Sequence, residues 1–280
     1  MACCFLFIHW DPSETIIQIG GFAPRWYGLF WVIGLLLGAT LMNRLYKAEN
    51  IKEEETQRLF IYVLFGTLIG ARLGHCIFYE YNYYFSSVTH FVEMILPIRF
   101  YNDNTWKYIG YQGLASHGGV IGLIIALVLY HRKSNIPMLV VLDNMGICAC
   151  ITATFIRLGN LMNSEIIEKP TDVPWAFVFE KVDSIPRHPG QLYEAISYFI
   201  FFFIIYYIYI KNKENVGSGK FFGLCLSLVF ILRFFIEFTK EIQVPFEINM
   251  PLDMGQILSI PFIFIGLYFV FIRQPSKFDH

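Results

Sequence analysis

Seven stretches of about twenty mostly apolar residues run through this 280-residue chain, near 24–43, 59–79, 113–130, 137–158, 191–210, 219–238 and 255–272. Each is the length an α-helix needs to cross a bilayer core of roughly 30 Å. Inside hydrocarbon every backbone N–H and C=O must find its partner within the protein, which leaves helices or closed barrels. Barrel strands would read as alternating segments of about ten residues, whereas these runs are continuous. The sequence therefore predicts an all-α polytopic membrane protein with seven transmembrane helices, built as a single integral membrane domain over residues 1–280. Charge content agrees: 15 % of residues are charged, where soluble domains carry roughly a quarter. The 29 Phe, 17 Tyr and 5 Trp are too much apolar surface for a disordered chain. A formal net charge of -1 offers no polybasic footprint, so no nucleic-acid partner is expected.

The N-terminal residues hold Asp11 and Glu14 and lack a basic n-region, so no cleaved signal peptide is expected. The six cysteines (3, 4, 76, 148, 150 and 225) show no metal-type spacing, and Cys148 and Cys150 read as small hydrophobes within an apolar run. Orientation follows from Lys and Arg in the connections. With the N-terminus outside, the short inner connections and the C-terminal tail hold eleven, including Arg273 and Lys277; the much longer outer segments hold seven. This predicts an N-out/C-in chain with two long outer-face loops, about 80–112 and 159–190, both rich in aromatics suited to the membrane interface. Tyr27, Arg72, His117, Arg157, His188, Arg233, Glu237 and Gln256 then all fall at outer helix ends, with Asp143 the main exception. Intramembrane ionisable residues are costly and face a bundle interior or a wet cavity. Their gathering on one side predicts a polar chamber that opens outward.

The motifs at those ends each admit two readings. Arg157 and Asn160 share a helical face, with Asn163 and Glu165 following. An arginine fork with two amides suits an oxygen-rich anion such as a phosphodiester; equally, Arg157 can neutralise a helix C-terminus and pair with Glu165. Arg72-Leu73-Gly74-His75 partly echoes that run, with Glu80 eight residues after its arginine. Ser116-His117-Gly118-Gly119 opens a helix whose free N–H groups form an anion site, with His117 as phosphate ligand or proton relay; the glycines serve helix packing just as well. Arg233 and Glu237 lie four apart, and by default neutralise each other. His188-Pro189-Gly190-Gln191-Leu192-Tyr193-Glu194 begins a span, with Gln191 and Glu194 on one face for binding or capping. Arg25-Trp26-Tyr27-Gly28 is either part of the site or an interfacial belt. No HExxH, GxSxG or P-loop is present, which disfavours zinc-protease, lipase-type and ATPase chemistry.

In this order the motifs resemble the prolipoprotein diacylglyceryl transferase family of the bacterial inner membrane. The resemblance spans Arg25-Trp26-Tyr27-Gly28, Gly70-Ala71-Arg72-Leu73-Gly74, His117-Gly118-Gly119, the run Arg157 to Glu165 and His188 to Glu194. Arg233 with Glu237-Phe238, and Met254-Gly255-Gln256 with Ser259-Ile260-Pro261, complete it. It implies transfer of diacylglyceryl from phosphatidylglycerol to the lipobox cysteine of a prolipoprotein signal peptide, with release of glycerol-1-phosphate and without cofactor or metal. His117, Arg157 and Arg233 are the expected catalytic residues. Tyr27, Arg72, Gly118, Gly119, Asn160, Asn163, Glu165, His188, Gln191, Tyr193 and Glu237 are the expected substrate-binding residues, and the active site is expected at the outer, periplasmic side. Three positions depart from the family pattern: Glu168 stands where glycine is usual, Ile156 where glycine precedes the arginine, and Lys240 where arginine is usual. They bear on outer-loop geometry more than on the reaction. The competing class, a secondary transporter or lipid-binding membrane protein for an anionic ligand, would place its polar residues near the midplane.

Overall fold

The computed structural model describes residues 7–20, 23–101, 105–108, 113–241 and 250–272, and the apolar runs among them are helices. In chain order the long ones are α1 (Trp26–Ala48), α2 (Glu53–Phe78), α5 (Ser116–Ser134), α6 (Met138–Met162), α7 (Gly190–Lys211), α8 (Lys220–Ile236) and α9 (Met254–Leu267). A 3-10 turn, Glu237–Thr239, extends α8, and a π turn, Tyr268–Ile272, extends α9. Six of these helices, counted with the two extensions, are long and apolar enough to cross a membrane. The remaining one, α5, is the expected third span; its polar ends, Ser116-His117 and His131-Arg132-Lys133-Ser134, dilute its apolar centre and keep it out of that set. Residues Cys3, Cys4, Arg273 and Lys277 lie outside the described residues.

The two long loops are not plain loops, so the all-α expectation needs amending. The first holds two short helices, α3 (Tyr81–Tyr84) and α4 (Val88–Ile95), and a hairpin of β2 (Ile98–Phe100) with β3 (Trp106–Tyr108). The second holds β4 (Phe177–Phe179) and β5 (Pro186–Arg187), which pair antiparallel. Strand β1 (Ile8–Trp10) adds to β4 in parallel, Ile8 opposite Phe177 and Trp10 opposite Phe179. Trp10 also donates its indole N–H to the Leu161 carbonyl at 2.9 Å, which ties this sheet to the end of α6.

The chain divides into two compact units, residues 49–138 and residues 1–48 with 139–280. In the smaller unit α2 and α5 pack backbone to backbone. A Cβ on Gly70 would overlap the Gly118 carbonyl, and one on Gly74 would lie 2.7 Å from Gly118 Cα. Small residues at such crossings permit the close van der Waals contact that holds membrane helices together. Three glutamates in the first turn of α2 and three basic residues in the last turn of α5 match the helix dipoles. In the larger unit Gly34 of α1 meets Thr152 of α6, whose hydroxyl donates to the Gly34 carbonyl at 3.1 Å. Asp143, the apparent exception of the sequence, is fully buried and accepts from the N–H groups of Gly217, Gly219 and Phe222 at 2.8 to 2.9 Å. It satisfies the unpaired donors at the start of α8 from a neighbouring helix. Cys148, Cys150 and Cys225 are buried free thiols, as expected of small hydrophobes.

Candidate active site

The C-terminal turn of α6 carries Arg157, Asn160 and Gly159, and 3.6-residue periodicity puts the first two on one face. Arg157 pairs through Nε with Glu194 Oε2 of α7 and donates from Nη1 to Asn160 Oδ1 at 3.4 Å. Asn160 in turn donates to Glu165 Oε2 at 3.1 Å, and Asn163 donates to Glu165 Oε1 at 3.0 Å. Both oxygens of Glu165 are therefore held by amides, while Gln191 of α7 donates to its backbone carbonyl. The loop achieves this by taking Ser164 and Ile166 into the left-handed region, φ 54° and 58°, a conformation L-residues adopt at a cost. Tyr27 of α1 packs over Gly159, where a Cβ would sit 3.1 Å from its ring. Six expected site residues, Tyr27, Arg157, Asn160, Asn163, Glu165 and Gln191, thus form one connected cluster. The pairing of Arg157 with Glu165 that the sequence allowed is replaced by Glu194 and a bridging asparagine.

Helix α7 contributes more than the sequence assigned. Gln191, Glu194 and Tyr198 stand at helical spacing and are all buried. Glu194 Oε1 and Gln191 Oε1 have no hydrogen-bond partner among the described residues, so two acceptors remain in a buried polar cluster. Tyr198 lies close to Arg157 and within the charge range of Arg233 of α8, the observation that relates the two arginines. Glu194, read from the sequence for binding or capping, takes the Arg157 guanidinium, and Tyr198 is the residue the sequence reading misses, although its spacing from Glu194 is a readable signal.

Arg233 and Glu237 do not neutralise each other. Glu237 binds Lys240 Nζ at 3.0 Å, and Arg233 has no carboxylate within 4 Å among the described residues. Arg157 is charge-compensated by Glu194, whereas Arg233 has no such partner among the described residues. Around the start of α7, His188 Nδ1 lies 3.1 Å from the Tyr193 hydroxyl, which accepts from the Trp175 indole N–H at 2.8 Å. Partial burial lowers the His188 pKa and favours the neutral imidazole. Next to it Arg187 joins Asp183 at 2.7 Å, Glu241 at 2.8 Å and the Glu168 carbonyl at 3.0 Å. Hydrogen bonds from Arg187 hold the half-buried Asp183 carboxyl below its usual range.

Two expected contributors are used otherwise in the smaller unit. Arg72 is buried and donates to the backbone carbonyls of Glu93 and Met94 at 2.9 and 3.2 Å and to the Tyr84 hydroxyl at 3.1 Å. Its guanidinium also stacks 5.0 Å from the Tyr84 ring centroid. It anchors the α3–α4 segment. Gly118 is taken up by the contact with α2, as the packing reading held, and Gly119 is buried beside Thr67 and Ala71. His117 is exposed in the first turn of α5. Among the described residues no group of three His, Cys, Asp or Glu is placed to hold a metal ion.

The family model for prolipoprotein diacylglyceryl transferase matches residues 14–272. A protein of Bacteroides fragilis named phosphatidylglycerol–prolipoprotein diacylglyceryl transferase is 52 % identical over 272 residues, covering 97 % of each chain. Proteins with the same name from Chloroherpeton thalassium and Tolumonas auensis are 42 % and 39 % identical, covering 95 % and 96 % of this chain and 94 % and 99 % of their own.

Proposed function

The chain belongs to the prolipoprotein diacylglyceryl transferase family, and from that premise we propose that it is a membrane transferase that moves diacylglyceryl from phosphatidylglycerol to a prolipoprotein. The acceptor is the lipobox cysteine of the signal peptide. Its sulfur attacks the glycerol carbon bonded to the phosphate oxygen. The C–O bond breaks, its electron pair leaves on glycerol-1-phosphate, and the thiol proton passes to a base or to water. The nucleophile is the thiolate, so the enzyme's task is to hold the phosphate and to stabilise charge as it leaves.

The observation that carries this reading is the pair of arginines on α6 and α8, Arg157 held by a carboxylate and Arg233 with none within 4 Å among the described residues. Arg157 is locked by Glu194 and Asn160, which suits a group that orients a ligand through a fixed planar fork. Arg233, whose neighbour Glu237 is taken by Lys240, brings the positive charge that a departing phosphate requires. Asn160, Asn163, Glu165, Gln191 and Tyr27 form the frame beneath them, and His188 with Tyr193 stands at its edge. From the sequence pattern His117, beside Gly118 and Gly119, is assigned phosphate binding rather than proton abstraction, because a helix N-terminus attracts anions and disfavours imidazolium. Polar groups concentrated at helix ends do not suit a transporter site at the midplane.

Incubating the purified protein with phosphatidylglycerol and a lipobox peptide should add one diacylglyceryl mass to the peptide cysteine; an unmodified peptide overturns the reading. The seven-span, N-out/C-in arrangement in the bacterial inner membrane belongs to the same proposal. Reporter tags after residues 50, 133 and 215 should read cytoplasmic and tags near 103 and 180 external. External labelling of the 211–218 connection in intact cells would reverse it.

A further inference from the structure

Two of the three positions that depart from the family pattern meet in one buried cluster that the reaction as described leaves unused. Glu168 is 1 % exposed. One carboxyl oxygen lies so close to Gly190, at the start of α7, that a Cβ there would overlap it. The other lies 3.2 Å from Thr239 Oγ1, and Thr239 Oγ1 also lies 2.7 Å from the Ile236 carbonyl at the end of α8. A hydroxyl has one hydrogen, so Thr239 cannot donate to both acceptors. If it donates to Ile236, the shorter contact, Glu168 must supply the hydrogen between them. If Glu168 is ionised, Thr239 must turn to it and give up its short bond to the Ile236 carbonyl, which then keeps only the backbone N–H of the 3-10 turn.

We propose that Glu168 is a positioning residue of the transfer reaction, a protonated carboxyl that donates to Thr239 and thereby holds the end of α8, with Arg233 and Glu237, against the loop after α6 that carries Glu165. The inference rests on the transferase reading. Other bonds already draw the same two segments together: Lys169 N–H donates to the Thr239 carbonyl at 2.7 Å, and Lys169 Nζ to the Phe238 carbonyl at 3.3 Å. Charge favours the neutral acid. Lys240, the cation that acts on Glu168, already faces Glu237, and an ionised Glu168 adds a carboxylate beside Glu194 and Glu237. The titratable groups facing it are Lys240 and Glu237 from the α8 turn and Glu194 and Tyr193 from α7. Arg187, with Asp183 and Glu241, borders its backbone. Burial outweighs the pull of Lys240 and raises the Glu168 pKa from 4.5 to about 7, which puts the change in hydrogen-bond direction within the working range of an enzyme.

Glutamine presents a permanent N–H donor where the protonated acid presents O–H. Turnover of Glu168→Gln and of the wild type should be compared from about pH 6 to about pH 9, where the ratio of the two cancels thiol ionisation common to both. The ratio should rise roughly tenfold toward alkaline pH, as the wild type loses its donor and the variant keeps it. A flat ratio overturns the proposal. Infrared spectroscopy of the wild type gives a test independent of activity. A protonated-carboxyl band should be present at about pH 6 and disappear by about pH 9, matched to Glu168 by selective labelling of glutamate carboxyls in chains with and without that residue. Absence of that band at the acid end sinks the proposal even if the enzyme is active. A wild type that shows the band but transfers nothing sinks the transferase reading instead.

Discussion

Arg72 and Arg157 stand in the same tripeptide, Arg-Leu-Gly, near the ends of two long helices, yet they do different work. In the smaller unit Arg72 turns onto two backbone carbonyls and a tyrosine ring. In the larger unit Arg157 meets a glutamate from another helix and an asparagine one turn on. The charge is equal in both; the partners differ. Carbonyls and a ring face hold the Arg72 guanidinium in place as a structural bolt. A carboxylate partner compensates Arg157 and, with free acceptors on Glu194 and Gln191 nearby, places it in a polar cluster that can receive a ligand. A motif names the residue available; its surroundings choose the role.

The contrast is broken most directly at Arg157. Arg157→Lys keeps the charge and removes the planar fork, and should lower turnover by about 100- to 1000-fold in a protein that still folds. Near-normal turnover, measured by mass of the modified peptide, would remove Arg157 from the site. Arg72→Ala should do the reverse. It leaves the Glu93 and Met94 carbonyls buried without this donor and should cost about 3 kcal/mol of stability, read as a lowered denaturation midpoint in detergent. Activity per folded molecule should fall far less than in Arg157→Lys. A stable, inactive Arg72→Ala would place that arginine in the chemistry after all.

Glu194→Gln sharpens the comparison from the partner's side. Arg157 keeps a hydrogen-bond acceptor but loses its countercharge, so turnover should drop roughly tenfold, less than in Arg157→Lys. An unchanged rate would show that the ion pair does not orient the arginine. The smallest effect concerns pH. Glu168 binds its proton in the folded chain up to about 7, while the unfolded chain releases it near 4.5. The folded state therefore holds more protons across that window, and the stability Glu168 contributes declines as pH rises through it. Thermal denaturation should show a downward slope there that Glu168→Gln lacks.

Much of this was legible in the residues. Apolar runs of bilayer length predicted the helices because hydrocarbon leaves the backbone almost no other choice, and six of the seven expected spans meet the length and composition a membrane crossing needs. Local spacing likewise predicted the Arg157–Asn160 face, since residues three apart on a helix are neighbours by geometry alone. The α5 segment shows the limit of that logic: its glycines serve the packing against α2 as much as the membrane, and composition by itself does not divide those demands.

What the tertiary structure decided is every choice of partner. Glu237 could pair with Arg233 or Lys240 by spacing, and only the turn after α8 assigns it to Lys240. Asp143 looked misplaced until the start of α8, more than seventy residues later, supplied its three donors. Gly118 could approach a ligand or a helix, and the backbone of α2 fills the space. Glu168 and Lys240, two separate departures in the sequence, become neighbours because the 165–170 loop folds onto the α8 turn. Periodicity and hydropathy are local sums, readable along the chain. Hydrogen bonds and ion pairs act over a few ångströms, between residues whose separation in sequence says nothing of their distance in space.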